Sequence, residues 1–218
     1  MPALPFDVVP LALGAAVSPM LLLGQMRTLT APGSGVRQSW AYLAGNALVV
    51  GGWALLGLGS GGSLPARPLA GADPVSAGIR LVLAAVLLAI GVRALHVEAG
   101  TASAAQGPRG GSLTRSFALG VALMAGNLTS LVLYLPALQD LARSGLDAGP
   151  LAALVLLVSL ITLAPSLLPP LALVLTGAWG RSRLQQLCHW TLTYQGRINA
   201  GLCFGFAAYL GWSGFARL

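Results

Sequence analysis

Lysine is absent from all 218 residues, glutamate occurs once (Glu98), and cysteine occurs twice (Cys188 and Cys203). Charged residues make up only 8% of the chain, against about 25% in soluble domains. Each shortage removes a class of protein. So few charges cannot coat a water-soluble surface, and with 56% hydrophobic residues and a mean hydropathy of +0.81 the chain reads as an integral membrane protein. Two cysteines without a CxxC give neither a disulfide framework nor a zinc site. His96 and His189 stand alone and read as interfacial side chains, so no metal and no cofactor are expected. There is no nucleotide-binding loop and no nucleophile with a base at hand, so no catalytic residues are assigned and no enzyme is expected. No Asp or Glu falls in the middle of an apolar run, and an ionisable relay of the kind that proton-coupled pumps use is therefore not seen. The start, MPALPFD, has no basic residue before its apolar run, so no cleavable signal peptide is read.

What is present is apolar sequence in membrane-length pieces. A spanning helix needs about 20 apolar residues, and six candidates follow: Phe6–Met26, Ser39–Leu58, Val75–Leu95, Leu113–Leu138, Leu151–Thr176 and Ile198–Phe215. The Gly/Pro-rich stretch GSGGSLPARPLAGADP separates the second from the third, and cannot be helical throughout. A polar linker, residues 97–112, divides the chain into a first set of three helices (1–96) and a second (113–218). Three plus three means that the second set enters the membrane from the opposite side, the inverted-repeat arrangement of transporters. Weak internal likeness agrees: Ala12-Leu13-Gly14 matches Ala118-Leu119-Gly120, and IRLVLAAVLLAIG (79–91) resembles INAGLCFGFAAYLG (198–211).

The net charge of +7 comes entirely from arginine set against five acids. The arginines sit at the ends of apolar runs, so they read as topology determinants and not as a nucleic-acid surface; anionic lipid headgroups are compatible partners. With both termini outside, eight arginines (27, 37, 93, 109, 115, 181, 183 and 197) fall on the inner side and four (67, 80, 143 and 217) on the outer. The positive-inside rule therefore predicts both termini on the outer face, with the linker in the cytoplasm.

The fourth run, FALGVALMAGNLTSLVLYLP, is the one around which the reading turns. Its middle carries Gly126, Asn127, Thr129 and Ser130, and an amide in hydrocarbon is costly without a partner. The first run is interrupted likewise, at Ser18-Pro19. Two interrupted segments at corresponding places in two halves are the sequence pointer to a transport site. Asn46 is a second intramembrane amide. It reads either as a structural hydrogen bond, to Asn127 or Ser18, or as a substrate contact. In the fifth run Pro165, Pro169 and Pro170 each free a backbone carbonyl, with Ser159, Thr162 and Ser166 placed locally to help; these prolines mark either a structural kink or a hinge. Gly201 and Gly205 form a GxxxG, and Gly45, Gly51 and Gly52 offer further small packing positions.

The stretches ALGAAVSPMLLL, GVRQSWAYLAGNALVVGGWALL, NLTSLVLYLPALQDLARSGL and LQQLCHWTLTYQGRINAGLCFGFAAYLGWSGF resemble the glycolipid-addressing (sulfolipid-addressing) membrane proteins, the GAP family of the lysine-exporter (LysE) superfamily. The resemblance implies an all-α membrane protein of six transmembrane helices in two inverted three-helix repeats, with helices one, four and five interrupted or kinked. It further implies export of an envelope glycolipid or related amphiphile across the bacterial inner membrane. Ser18-Pro19 matches the family's Ser-Pro interruption, and Asn127-Leu128 matches the end of its Asn-Pro-Lys-Asn-Leu. Met124-Ala125-Gly126 stands where the family commonly has Asn-Pro-Lys, so its lysine is lost. On this reading Ser18, Pro19, Asn46, Asn127, Thr129 and Ser130 line a central site, and Arg27 and Arg115 hold a phosphate or sulfate headgroup. Expected partners are membrane lipids and a lipid or small amphiphilic substrate, together with a second copy of the chain or envelope-assembly proteins. Nucleic acid is not among them. Two other readings compete: an exporter of small polar solutes such as amino acids, and a non-transporting scaffold for envelope assembly. Thiol-electron carriers of similar topology need paired cysteines on the first and fourth helices, which this chain lacks.

Overall fold

The computed structural model describes residues 4–16, 18–31, 34–63, 74–96 and 112–216. All the regular structure among them is helical: α1 (Leu4–Ala16), α2 (Pro19–Leu29), α3 (Gly35–Ser63), α4 (Pro74–His96), α5 (Leu113–Ala125), α6 (Leu128–Ala142) and α7 (Ala148–Phe215). The stretch 64–73 and nearly all of the polar linker, 97–111, lie outside the described residues.

Local chemistry sets the helix ends. Ser18 is extended (φ −132°, ψ 102°), as the residue before a proline must be. Pro19 then opens α2, where its missing N–H costs nothing because that donor has no intrahelical partner. Ser112 caps α5 by accepting from the Arg115 N–H at 3.3 Å. Gly145, at φ 66°, makes the turn after α6, a left-handed conformation that glycine adopts without strain.

The 68 residues of α7 would reach about 100 Å if straight, roughly three times the hydrocarbon core of a bilayer. They do not run straight. Ser159 bonds the Tyr134 hydroxyl at 2.7 Å, whereas Ser213 bonds Arg80, which is itself paired with Asp140. Tyr134 and Asp140 are less than two turns apart on α6, so the run must double back between Ser166 and Cys203. Its first limb meets α3 and α6, and its last limb packs along α4 and α1.

Among the described residues, three segments are long and apolar enough to cross a membrane: Gly35–Ser63, Ala77–Leu95 and Ala148–Leu175. The pair α5 and α6, bent by 70° at its break, makes a fourth if taken as one span. Six were expected from hydropathy. The first of them, Phe6–Met26, falls on two short helices broken at Ser18, and the last forms the returning limb of α7. The outward surface is apolar, with Leu55, Leu175 and Trp212 about three-quarters exposed, as lipid-facing positions should be.

Lipid tails are as apolar as leucine, so helices associate in a membrane through close approach of small residues. A Cβ on Gly45 would fall on the Phe117 carbonyl oxygen, and one on Gly120 on the Tyr42 carbonyl oxygen. The backbones of α3 and α5 therefore touch. Gly14 lies under the Phe206 ring, and Gly91 sits against Cys203 and Phe204. The other glycines singled out in the sequence behave differently. A Cβ at Gly51, Gly52, Gly201 or Gly205 meets nothing within 4 Å, so the GxxxG of the last limb faces away from the chain's own described helices.

Candidate functional site

Helix ends leave backbone donors and acceptors without intrahelical partners, and in hydrocarbon each must find another. The two interruptions do this in part through one another. On the α2 side, the Ser18 hydroxyl accepts from the Leu21 N–H at 3.5 Å. On the α6 side, Asn127 Oδ1 accepts from the Ser130 N–H at 3.4 Å, and Asn127 Nδ2 donates to Ser130 Oγ at 2.6 Å. The Ser130 hydroxyl then donates to the Ala15 carbonyl at 2.5 Å. A side chain in the first turn of α6 thus satisfies the open end of α1, and the two broken helices are joined at their breaks. Thr129, also buried, places its hydroxyl beside the Cys203 thiol.

A polar seam runs from this junction between α2, α3 and the first limb of α7. Gln25 Nε2 donates to both Ser39 Oγ and the Ser39 carbonyl. The Tyr42 hydroxyl donates to the Leu21 carbonyl at 3.1 Å. These contacts make α2 and α3 antiparallel, and one further turn brings Asn46 level with Ser18. Asn46 Nδ2 donates to Ser166 Oγ at 2.7 Å. Gln25, Ser39, Tyr42, Asn46 and Ser166 are all fully buried. Among the described residues, two acceptors on the seam, Gln25 Oε1 and Asn46 Oδ1, have no hydrogen-bond partner. Each can accept from a donor such as water. Removing one hydroxyl tests the seam's stability: Tyr42→Phe deletes this buried bond to the Leu21 carbonyl and should lower stability by about 1 kcal/mol, read as a lower unfolding temperature in detergent.

The profile described as "Sap, sulfolipid-1-addressing protein" matches residues 8–216. The chain belongs to the sulfolipid-1-addressing protein family. Comparison with curated proteins and with solved structures gives no match. The matched range takes in both breaks and the whole seam, so the junction just described is a feature of the family-matched body of this Sap-family protein.

The predicted residues come together in part. Asn127 and Ser130 join Ala15 at the junction, three residues before Ser18, while Ser18 and Pro19 open α2 and Thr129 faces Cys203. All but the half-buried Asn127 are buried. Asn46 lies in the adjoining layer, and its partner is Ser166, not the expected Asn127 or Ser18. Arg27 and Arg115 stand apart. Arg27 is half-buried in the last turn of α2, Arg115 is exposed in the first turn of α5, and each is about 13 Å or more along its helix from the break. Pro165, Pro169 and Pro170 lie inside α7 without interrupting it. The neighbouring hydroxyls do not serve the carbonyls that these prolines free. Ser159 donates to Val155, Thr162 to Val158, and Ser166 accepts from Asn46. Each of the first two points back along the backbone ahead of the prolines. Where the family lysine was expected, Gly126 closes α5 with its N–H on the Ala122 carbonyl at 3.0 Å, and Met124 is buried in the core.

Sequence reasoning missed Gln25 and Tyr42 as site residues. It also missed the burial of Arg80, which it counted among the outer topology determinants, and of Asp140, which lies just past its fourth run; the two are buried together as an ion pair. A signal for Arg80 was available. Ala77, Arg80, Ala84, Leu87 and Gly91 are the buried stripe of α4, a helical period on which Arg80 falls.

Proposed function

We propose that this protein moves a glycolipid or related amphiphile across the bacterial inner membrane by alternating access. Two inverted three-helix repeats, 1–96 and 113–218, would rock about the junction of their broken helices in a six-span fold of the lysine-exporter superfamily. The observation that carries the proposal is the Ser130 to Ala15 hydrogen bond, which ties the break in one half to the break in the other. Broken helices whose ends face each other at mid-membrane are the usual construction of a substrate site in secondary transporters. The sulfolipid-1-addressing family supports a lipid substrate. Arg27 and Arg115, near the end that the arginine distribution makes cytoplasmic, suit the loading of a sulfate or phosphate headgroup. Both termini lie outside on this reading.

One observation favours a second reading. The seam of Gln25, Ser39, Asn46 and Ser166 is enclosed within the bundle, which suits a small polar solute better than an acyl chain.

The test is reconstitution of the purified protein in liposomes containing a sulfated glycolipid with a dithionite-bleachable fluorophore. Bleaching of the label in both leaflets, against the outer leaflet alone in protein-free liposomes, is the expected result. Movement of radiolabelled arginine without lipid movement would transfer the assignment to the solute reading. Movement of neither would overturn transport.

A further inference from the structure

A buried charge cluster lies outside the junction. Arg80 of α4 is 1% exposed and Asp140 of α6 is 4% exposed. Arg80 Nη2 pairs with Asp140 Oδ2, and Nη1 donates to Ser213 Oγ of the last α7 limb at 2.6 Å. Arg80 precedes the linker; Asp140 and Ser213 follow it. The same end of the bundle holds the contact between Gln139 and Ser60 at 3.2 Å and the approach of Gly61 to Ala142. The arginine distribution makes this the outer end. Asp140 is about 20 Å along α6 from Asn127, so the cluster stands between the junction and the outer surface.

Separating a buried ion pair takes from each charge its opposite partner, which is far costlier than keeping it. The α4 and α6 ends can therefore part only when water enters to solvate both groups. That gives the outer end two discrete states: closed, dry and paired, or open, wet and unpaired. We infer that Arg80, Asp140 and Ser213 form the latch of an outer gate, made while the site is loaded from inside and parted for release outward. This inference rests on the alternating-access reading above. Charges suit a latch because they are stable together when dry and apart when wet, whereas an apolar contact is stable only when dry.

The test uses the full-length protein with Cys188→Ser and Cys203→Ala. Ala137→Cys is added as a reporter, because Ala137 is fully buried one turn inward from Asp140. A membrane-impermeant maleimide supplied outside should label this cysteine, faster when the sulfated glycolipid is present. Arg80→Leu with Asp140→Leu should keep or raise the unfolding temperature, since apolar replacement of a buried pair is commonly neutral or stabilising. It should also abolish the labelling and slow lipid movement by at least about tenfold, one decade in rate. The exchange Arg80→Asp with Asp140→Arg should keep both. Equal labelling and transport in the leucine pair would make the cluster a passive strut and overturn the latch. So would a reporter that is never labelled while lipid still moves. Labelling that depends on the pair, in a protein that moves no lipid, would retain the gate and overturn the transport reading instead.

Discussion

A valine at Gly120 should leave little folded protein in the membrane. The Cβ of any residue there lands on the Tyr42 carbonyl oxygen, with the Asn46 nitrogen only 3.2 Å away. Both obstacles are backbone within α3, so neither can rotate aside as a side chain would. Separating α3 from α5 would also pull Tyr42 and Asn46 away from Leu21 and Ser166. Overpacking alone costs about 1–3 kcal/mol, a large share of the roughly 5–15 kcal/mol that holds a typical domain together. Gly45→Val should act likewise, because its Cβ meets the Phe117 carbonyl oxygen and the Val121 nitrogen. Gly201→Ala and Gly205→Ala are the contrast. Nothing lies within 4 Å of either added Cβ, and alanine gains up to about 1 kcal/mol in helix propensity. Thermal unfolding followed by size-exclusion chromatography in detergent separates the two sets. A Gly120→Val protein melting with the parent would mean that the α3 and α5 backbones do not touch.

Ser130→Ala should abolish most lipid movement while the protein still folds. The substitution removes one hydroxyl and strands two groups, Asn127 Nδ2 and the Ala15 carbonyl. Each stranded group costs about 1–3 kcal/mol, so the two breaks lose their joint, while the capping bond from the backbone N–H at position 130 to Asn127 Oδ1 stays. A drop of at least about tenfold in the liposome assay corresponds to 1.4 kcal/mol of this. Ser130→Thr retains a hydroxyl on the same carbon and should recover most of the rate. Asn127→Leu, which removes the cap on α6 as well as the bond to Ser130 Oγ, should be the more severe. Parental transport in Ser130→Ala, at matched expression and unfolding temperature, would remove the junction from the mechanism.

The breaks were legible in the sequence because their causes are local. A proline after Ser18 and an amide inside an apolar run each dictate the backbone within a few residues. The partners were not legible, because they lie across the fold. Nothing near Asn46 points to Ser166, which is 120 residues away, and nothing near Ser130 points to Ala15. Hydropathy puts Arg80 inside the third run and Asp140 just beyond the fourth, but it does not say that the two face each other. Whether such a charge snorkels outward or turns inward depends on the opposing helix. The glycines show the same limit. Composition cannot tell Gly45, pressed on a neighbouring backbone, from Gly51, which faces open space.

The junction has a fixed direction. The Ser130 N–H occupies Asn127 Oδ1, which orients the amide so that its Nδ2 faces the Ser130 oxygen. Nδ2 can only donate, and the Ala15 carbonyl at the far side can only accept. The hydroxyl proton therefore has one place to go, and neither end of the chain of bonds can take up or release a proton. The joint between the two halves is an insulator, not a proton wire. It transmits position between the breaks without carrying charge across them.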